Sequence, residues 1–257
     1  MSQTLGTLFL VPNTLGDHDR EGQLSFVLPQ DTIEQTAVLQ HWIVEDAKTA
    51  RAFLKAVDSI KPLVCSIQEM QMGEWRGAQR HAKYGDTVKP LDLLKPLLAG
   101  KDMGLMSEAG VPGVADPGAE IVRAAHQLGA RVKPLIGPSS ILLGLMASGL
   151  NGQRFAFQGY LPHDTNERSS KLKQLEAESR KLQQTQLWIE TPYRNIAMLM
   201  SCLNSLAPQT QLCLGVDLSL LSEMITTLSV QEWRKRYPNE AACAFLQNRP
   251  TIFLMLS

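Results

Sequence analysis

Residues 103–149 constrain the fold of this chain more than any other stretch. An apolar run is followed by a loop rich in glycine and proline over residues 108–117. Apolar residues at helical spacing come next, and residues 131–136 are then predicted to form a buried strand. A second tight loop over 137–140 and a second helix that ends near Gly149 follow. This order of strand, loop, helix, strand, loop and helix is typical of a parallel α/β sheet.

The two loops of this stretch follow strands directly, at the end where open parallel sheets bind ligands. Asp116 is predicted to be an N-cap, with Pro117 in the first helical position, where its missing N–H costs nothing. Glycine lets a backbone approach a ligand closely, and a helix N-terminus offers free N–H groups. The loops are either ligand contacts or ordinary strand-to-helix turns, and the pattern alone leaves both interpretations open.

Composition indicates a globular protein with an ample core and no overall attraction to nucleic acid or membranes. The 257 residues are 44% hydrophobic and 19% charged, and 25 basic side chains balance 25 acidic ones. The N-terminal residues do not form a signal peptide, and no apolar run reaches the ~20 residues that span a bilayer. We therefore expect a cytoplasmic protein with no membrane partner. We also expect no metal centre and reduced thiols, because no pair of cysteines has zinc-ligand spacing; the cysteines are Cys65, Cys202, Cys213 and Cys243.

Further strands are predicted in the first half of the chain, over residues 7–11, 42–44 and 62–67. Glu45 and Asp46 follow the second of these strands, which indicates either a polar site or a solvated helix start with local ion pairs.

The long polar segment over residues 68–89 has little apolar periodicity, which predicts a mobile loop that could act as a lid. His81 lies within this segment, and we interpret it as a surface histidine.

The second half of the chain has fewer helices between its strands, which are predicted over residues 155–158, 186–189, 211–216, 223–228 and 251–256. The last lacks a following helix, which indicates an antiparallel or edge strand. A charged helix over 167–181 presents its basic side chains either to a phosphate backbone or simply to solvent. We predict two unlike α/β domains, residues 1–117 and 118–257, with a cleft between them.

Several motifs resemble the tetrapyrrole methylase superfamily of S-adenosylmethionine-dependent methyltransferases. They are SEAGVPGVADPG, IGPSSILLGLMASGL, RFAFQGYLP, LFLVPNTLGD, VEDAKTARAFLK and IETPYRN. Within that superfamily, the chain is most similar to the branch of ribosomal RNA small-subunit methyltransferase I, which 2′-O-methylates a cytidine of 16S rRNA. The matches extend from about Thr7 to Phe253 and follow the order of that branch.

The resemblance implies that S-adenosylmethionine is bound in the cleft between the two α/β domains, and that the protein is a homodimer. Carried over by motif position, the residues expected at the cofactor are Pro12, Ser107, Glu108, Ala109, Gly110, Ser139, Ser140, Gln158 and Thr191. Two of these depart from the RNA-modifying branch, because Glu108 stands where that branch has aspartate and Gln158 replaces an acid.

Methyl transfer needs alignment of two reactants more than it needs a nucleophile or a metal. A hydroxyl acceptor would be helped by a base, for which Glu45, Asp46 and Glu190 are candidates at strand ends. Arg194 could orient an anionic substrate through its planar guanidinium. A structural ion pair explains each of these four residues equally well.

Three functions remain open from the sequence. The first is a methyltransferase that acts on ribosomal RNA, and the second is a methyltransferase for a tetrapyrrole-like or other small molecule. The third is a protein that binds S-adenosylmethionine without catalysis, which the departures at Glu108 and Gln158 favour.

Overall fold

The computed structural model describes residues 4–16, 20–77 and 88–257. The chain forms two compact units, Met1–Pro138 and Ser139–Ser257. Residues 78–87 lie outside the described residues. They include His81 and nearly half of the segment that was predicted to be a lid.

Unit 1 is built on a parallel sheet that, in its described residues, has five strands in the order β3-β2-β4-β1-β5. The strands are β1 (Thr7–Leu10), β2 (His41–Val44), β3 (Gln71–Glu74), β4 (Met103–Met106) and β5 (Arg131–Pro134). The helices are α1 (Arg20–Val27), α2 (Gln30–Ala37), α3 (Ala47–Asp58), α4 (Pro90–Leu93), α5 (Lys95–Leu98) and α6 (Ala119–Gln127).

The middle of this sheet depends on one close approach between neighbouring strands. Trp42 on β2 pairs with Gly104 on β4, and the buried Trp42 ring covers the glycine. A Cβ atom at residue 104 would lie 2.4 Å from the ring. The indole is held in place by a hydrogen bond from Nε1 to the Leu39 carbonyl oxygen, 3.2 Å long.

Two predicted strands of unit 1 differ from the structure. Residues 62–67 form a loop, and the strand that pairs with β2 is the polar segment β3. Leu63, Cys65 and Ile67 pack against the core from that loop, which explains their apolar spacing. β5 is a mostly exposed strand rather than a buried one, because it lies at the edge of the sheet.

The division between the units follows Pro138, whereas the sequence analysis placed the boundary between residues 117 and 118. The difference has a clear cause in strand pairing. β5 pairs with β1 along its whole length, so β5 belongs to the first sheet, and α6, which precedes it, belongs to the same unit.

Unit 2 contains a mixed sheet that, as far as it is described, has five strands in the order β6-β7-β10-β8-β9. Its strands are β6 (Phe155–Tyr160), β7 (Thr185–Ile189), β8 (Gln211–Val216), β9 (Met224–Ser229) and β10 (Thr251–Leu256). Its helices are α7 (Ser140–Ser148), α8 (Thr165–Leu182), α9 (Asn195–Ser205) and α10 (Val230–Arg236), with short 3-10 helices at Pro192–Arg194 and Ala241–Leu246.

The prediction of two unlike α/β domains is confirmed by these sheets. β6 and β7 are parallel, whereas β10 runs antiparallel to both β7 and β8 at the centre of the sheet, so it is not an edge strand. On α8, Arg168 is buried and donates to Ser201 Oγ and the His163 carbonyl oxygen, so this side chain does not face a phosphate backbone. None of the helices in the described ranges is both long and apolar enough to cross a membrane.

The contact between Trp42 and Gly104 makes residue 104 intolerant of any side chain. We expect Gly104→Ala to lower the free energy of unfolding of unit 1 by about 1–3 kcal/mol, because the ring cannot move out of a packed core. Urea denaturation measures this change. Gly152→Ala is the control, because a Cβ there meets no atom within 4 Å; equal effects of the two substitutions would contradict the prediction.

Candidate functional site

The five strands of the first sheet are parallel, so their carboxyl ends lie at one edge. The segments that leave this edge are residues 11–16, 45–46, 75–77, 107–118 and 135–138. They hold the motif residues that the sequence analysis assigned to unit 1. This edge is the candidate site.

Asn13 joins the segment after β1 to the segment after β4. Its side chain is completely buried, and Nδ2 donates to the Glu108 carbonyl oxygen at 2.7 Å. Its backbone N–H donates to the Gly110 carbonyl oxygen at 2.8 Å, and Gly110 N–H donates back to the Thr14 carbonyl oxygen at 3.3 Å. The two loops therefore satisfy each other's backbone groups and form one structure.

Glycines at two positions let the loops come close together. A Cβ at residue 137 would lie 2.3 Å from the Pro12 ring, so only glycine fits against Pro12. Gly110 has a φ of 68°, which side chains rarely adopt. The loop after β4 thus packs closely against Pro12 and Asn13.

Acidic side chains surround the loop after β4. Glu45 Oε2 accepts a 3.3 Å hydrogen bond from the Glu108 N–H, and Asp116 lies half-buried near both residues. Burial, reinforced by the Glu45 and Glu108 carboxylates and opposed by the Ser107 hydroxyl, raises the pKa of Asp116 to about 7. A carboxyl group in this state can hold or release a proton near neutral pH.

Ser107 supplies a buried hydroxyl group beside Asp116. The residue is only 4% exposed, and its hydroxyl favours the ionised form of the Asp116 carboxyl group. It lines a narrow pocket together with Glu45, Trp75 and Pro117. A hydroxyl group that lines a pocket can donate a hydrogen bond to a ligand or accept one from it.

Asp46 and Arg76 form an ion pair beside the acidic cluster. Asp46 caps α3 by accepting the Thr49 N–H, and this bond holds the pKa of Asp46 below its usual value. Arg76 donates through Nη2 to Asp46 Oδ2 at 3.3 Å and through Nε to the Glu45 carbonyl oxygen at 3.0 Å. Of the two interpretations of Asp46, a polar site or a helix start with local ion pairs, the second explains this residue well, because Asp46 is an ionised helix cap paired with Arg76.

The segment from Ser107 to Gly118 is held in an unusual conformation. Trp75 Nε1 donates to the Pro117 carbonyl oxygen at 2.8 Å, and Ala115 has a φ of 62°. The predicted N-cap was wrong, because α6 begins after Gly118 and Asp116 makes no cap. Asp116 is instead free to face Glu45 and Ser107. A left-handed alanine carries strain that is found mainly at functional sites.

In unit 2, Glu190, Thr191 and Arg194 form one hydrogen-bonded group after β7. The Glu190 side chain is 1% exposed, and its Oε1 accepts bonds from the Thr191 N–H at 2.7 Å and from Arg194 Nε at 3.0 Å. Arg194 Nη2 also donates to this oxygen, and Nη1 lies 3.3 Å from His163 Nε2. Two buried acceptors, Glu190 Oε2 and Asn195 Oδ1, have no partner in the part of the chain described.

The remaining motif residues of unit 2 have more ordinary surroundings. Gln158 Nε2 donates to Gln186 Oε1 at 2.7 Å. Ser139 and Ser140 are half-buried at the start of α7, and the Ser139 side chain does not cap that helix.

The structure brings together Pro12, Glu45, Ser107, Glu108, Ala109 and Gly110 in unit 1, and Glu190, Thr191 and Arg194 in unit 2. Sequence reasoning missed Asn13, Arg76 and Asp116 as parts of the site. Asn13 and Asp116 lie within the motifs LFLVPNTLGD and SEAGVPGVADPG, so the position of these motifs after predicted strands could have indicated both residues. Arg76 was interpreted as part of a lid. No cluster of potential metal ligands occurs in the described ranges.

The chain is similar in sequence to proteins named ribosomal RNA small subunit methyltransferase I. The relative from Vibrio cholerae is 32% identical over 162 residues, which are 60% of this chain and 55% of that protein. The relative from Bacillus subtilis is 31% identical over 190 residues, 74% of this chain and 56% of that protein. The chain thus spans about half the length of the curated relatives it matches. No family model matches it.

Solved structures share the fold across nearly the whole chain. A cobalt precorrin-4 methyltransferase is 12% identical with a TM-score of 0.57, covering 97% of this chain and 94% of that one. Uroporphyrin-III C-methyltransferase from Thermus thermophilus, in complex with S-adenosylhomocysteine, is 14% identical with a TM-score of 0.53, covering 98% of both chains. The resemblance to the tetrapyrrole methylase superfamily, and to its small-subunit methyltransferase I branch, is confirmed.

The raised pKa of Asp116 gives stability a specific dependence on pH. The folded chain keeps this proton between pH 3.8 and about 7, where the unfolded chain loses it, so stability falls as pH rises through that range. Asp116→Asn removes this loss. We expect it to raise the melting temperature more at pH 8 than at pH 5, as measured by calorimetry; the same change at both pH values would contradict the assignment.

Proposed function

We propose that this protein is an S-adenosylmethionine-dependent methyltransferase that 2′-O-methylates ribosomal RNA. The observation that carries the proposal is the joining of the LFLVPNTLGD and SEAGVPGVADPG motifs by Asn13 at the carboxyl edge of a parallel sheet. The fold shared with methyltransferases and the sequence similarity to ribosomal RNA small subunit methyltransferases I support it.

The residues present fit this cofactor. We assign Pro12 and residues 107–110 to its contact in unit 1, where Ser107 lines a pocket with Glu45 and the left-handed Gly110 lets the loop turn tightly. The Glu45, Glu108 and Asp116 carboxyl groups suit a cation such as a sulfonium. In unit 2 we assign Ser139, Ser140, Gln158 and Thr191 to it by their motif positions.

When bound, S-adenosylmethionine supplies an electrophilic methyl group, so the protein needs to position the acceptor and remove its proton. We assign proton removal to the Asp116 carboxylate, with Glu45 beside it. A base is most effective when its pKa lies near the working pH, which is the case for Asp116. Asp116 would become neutral on taking the proton of the ribose hydroxyl, which matches the positive charge that a sulfonium loses when its sulfur–methyl bond breaks and it leaves as a neutral thioether.

Glu190 and Arg194 were candidates for the reaction, and we retain Arg194 as the residue that orients an anionic substrate. Glu190 fixes Arg194 through hydrogen bonds to one buried carboxylate oxygen. That arrangement favours a positioning role for Glu190 over proton removal. We further propose a homodimer that acts in the cytoplasm, where a ribosomal substrate is available.

A second candidate is methylation of a small tetrapyrrole-like molecule. It is favoured by the fold neighbours that are named for uroporphyrin III and cobalt precorrin-4, and by the zero net charge. A protein that binds the cofactor without catalysis is the third.

Calorimetric titration with S-adenosylmethionine and S-adenosylhomocysteine tests the cofactor assignment, and micromolar binding is the expected result. Transfer of a tritiated methyl group to 30S particles from cells that lack the protein tests the substrate. Binding without transfer to RNA would favour the second or third candidate, and absence of binding would contradict all three.

Asp116→Asn tests the proton acceptor. We expect it to lower kcat by about 10²- to 10⁴-fold with little change in cofactor affinity, because general base catalysis contributes about this much. The wild-type rate should rise through a pH of about 7. Asp46→Asn is the matched control, because asparagine caps α3 equally well. A full rate in Asp116→Asn would overturn the assignment.

A further inference from the structure

An aromatic and cationic patch lies on the surface of unit 2 where β6 and β7 end. It consists of Tyr193, Arg194 and His163, and we call it the Tyr193 patch. Tyr193 is 68% exposed and His163 is also exposed, while Arg194 is partly buried between them and Glu190. The Arg194 guanidinium carbon lies 5.5 Å from the centre of the Tyr193 ring.

The chain fixes this patch with buried interactions. Pro192 and Tyr193 lie in a 3-10 helix that closely follows β7, so the position of the Tyr193 backbone is fixed by its attachment to the sheet. Arg194 is held by the buried Glu190 carboxylate and by Thr191 Oγ1, at 3.0 Å from Nε. The position of Arg194 is therefore set before any ligand arrives, which lowers the entropy lost on binding.

The charge of the patch is nearly balanced. Glu190 neutralises Arg194, and the neighbouring Asp164 is engaged in capping α8, accepting the N–H groups of Asn166 at 2.8 Å and Glu167 at 3.0 Å. A partner bound here would be held by its flat faces and hydrogen-bonding edges more than by its phosphates. Unpaired nucleobases have these properties, and proteins stack them on tyrosine and arginine.

We infer that the Tyr193 patch binds an unpaired base of a single-stranded RNA, which stacks on the Tyr193 ring while Arg194 and His163 contact its edge or adjacent phosphate. The inference rests on the proposed RNA substrate and adds the structural form in which that substrate is recognised. Stacking of a base does not depend on net charge, so it would let a chain with no net charge bind RNA.

The test measures binding of a fluorescein-labelled, unstructured RNA dodecamer by anisotropy, without cofactor, for the full chain and its variants. Tyr193→Ala should weaken binding by about tenfold or more, because stacking on one base contributes that much. Tyr193→Phe should retain nearly all of the affinity, since it keeps the ring. Phe155→Ala is the matched control, because Phe155 is an exposed aromatic at the opposite end of β6.

Two further measurements separate stacking from other causes. The same RNA annealed into a duplex should bind more weakly, and the logarithm of affinity should fall with the logarithm of salt concentration with a slope of only about −1 to −2. RNA that carries 4-thiouridine should cross-link on irradiation to the peptide that contains Tyr193.

Several results would overturn the inference. They are equal affinity of wild type and Tyr193→Ala for the single strand, tight binding of a carboxylated porphyrin but not RNA, and loss of a dimer in Tyr193→Ala by light scattering. Titration of the same variants with S-adenosylmethionine keeps the two proposals apart. Cofactor binding without RNA binding rejects the patch alone, whereas absence of cofactor binding rejects the proposed function.

Discussion

The buried hydrogen bonds of Asn13 are the constraint on which the candidate site of unit 1 depends. Two loops that leave parallel strands cannot pair as a sheet does, yet their buried backbone groups must be satisfied. Asn13 solves this problem with bonds to the Glu108 and Gly110 carbonyl oxygens. Because these bonds use the backbone, the side chains at 107 and 108 remain available. The raised pKa of Asp116 follows from the same packing, which buries that carboxyl group and places Glu45 and Glu108 near it.

The two units carry different polar chemistry. Unit 1 concentrates carboxyl groups around a left-handed loop, which suits a cation and removal of a proton. Unit 2 buries the Glu190 carboxylate, which fixes Arg194 beside the exposed Tyr193, and this arrangement suits an aromatic partner. These are the requirements of the methyl donor and the RNA acceptor that we propose for this chain.

The sequence predicted the fold class well, because apolar runs, glycines and prolines report local structure directly. It predicted the loops of unit 1 and the group around Glu190 from motifs. It failed where tertiary context decides. Residues 62–67 have the apolar spacing of a strand but pack from a loop, and the polar β3 became a strand because β2 offered it an edge. Asp116 was read as a helix cap because no local rule reports a left-handed alanine one residue earlier. Proximity of Asp116 to Glu45 is likewise invisible in a linear sequence.

The contact between Pro12 and Gly137 has a consequence for the divergence of this chain. Any side chain at residue 137 would overlap the proline ring, at 2.3 Å from its Cβ position. A larger residue can therefore be accepted at 137 only after residue 12 has become smaller. The effect of each substitution on stability therefore depends on the residue at the other position. Lineages that share this fold should change the pair together or keep both members.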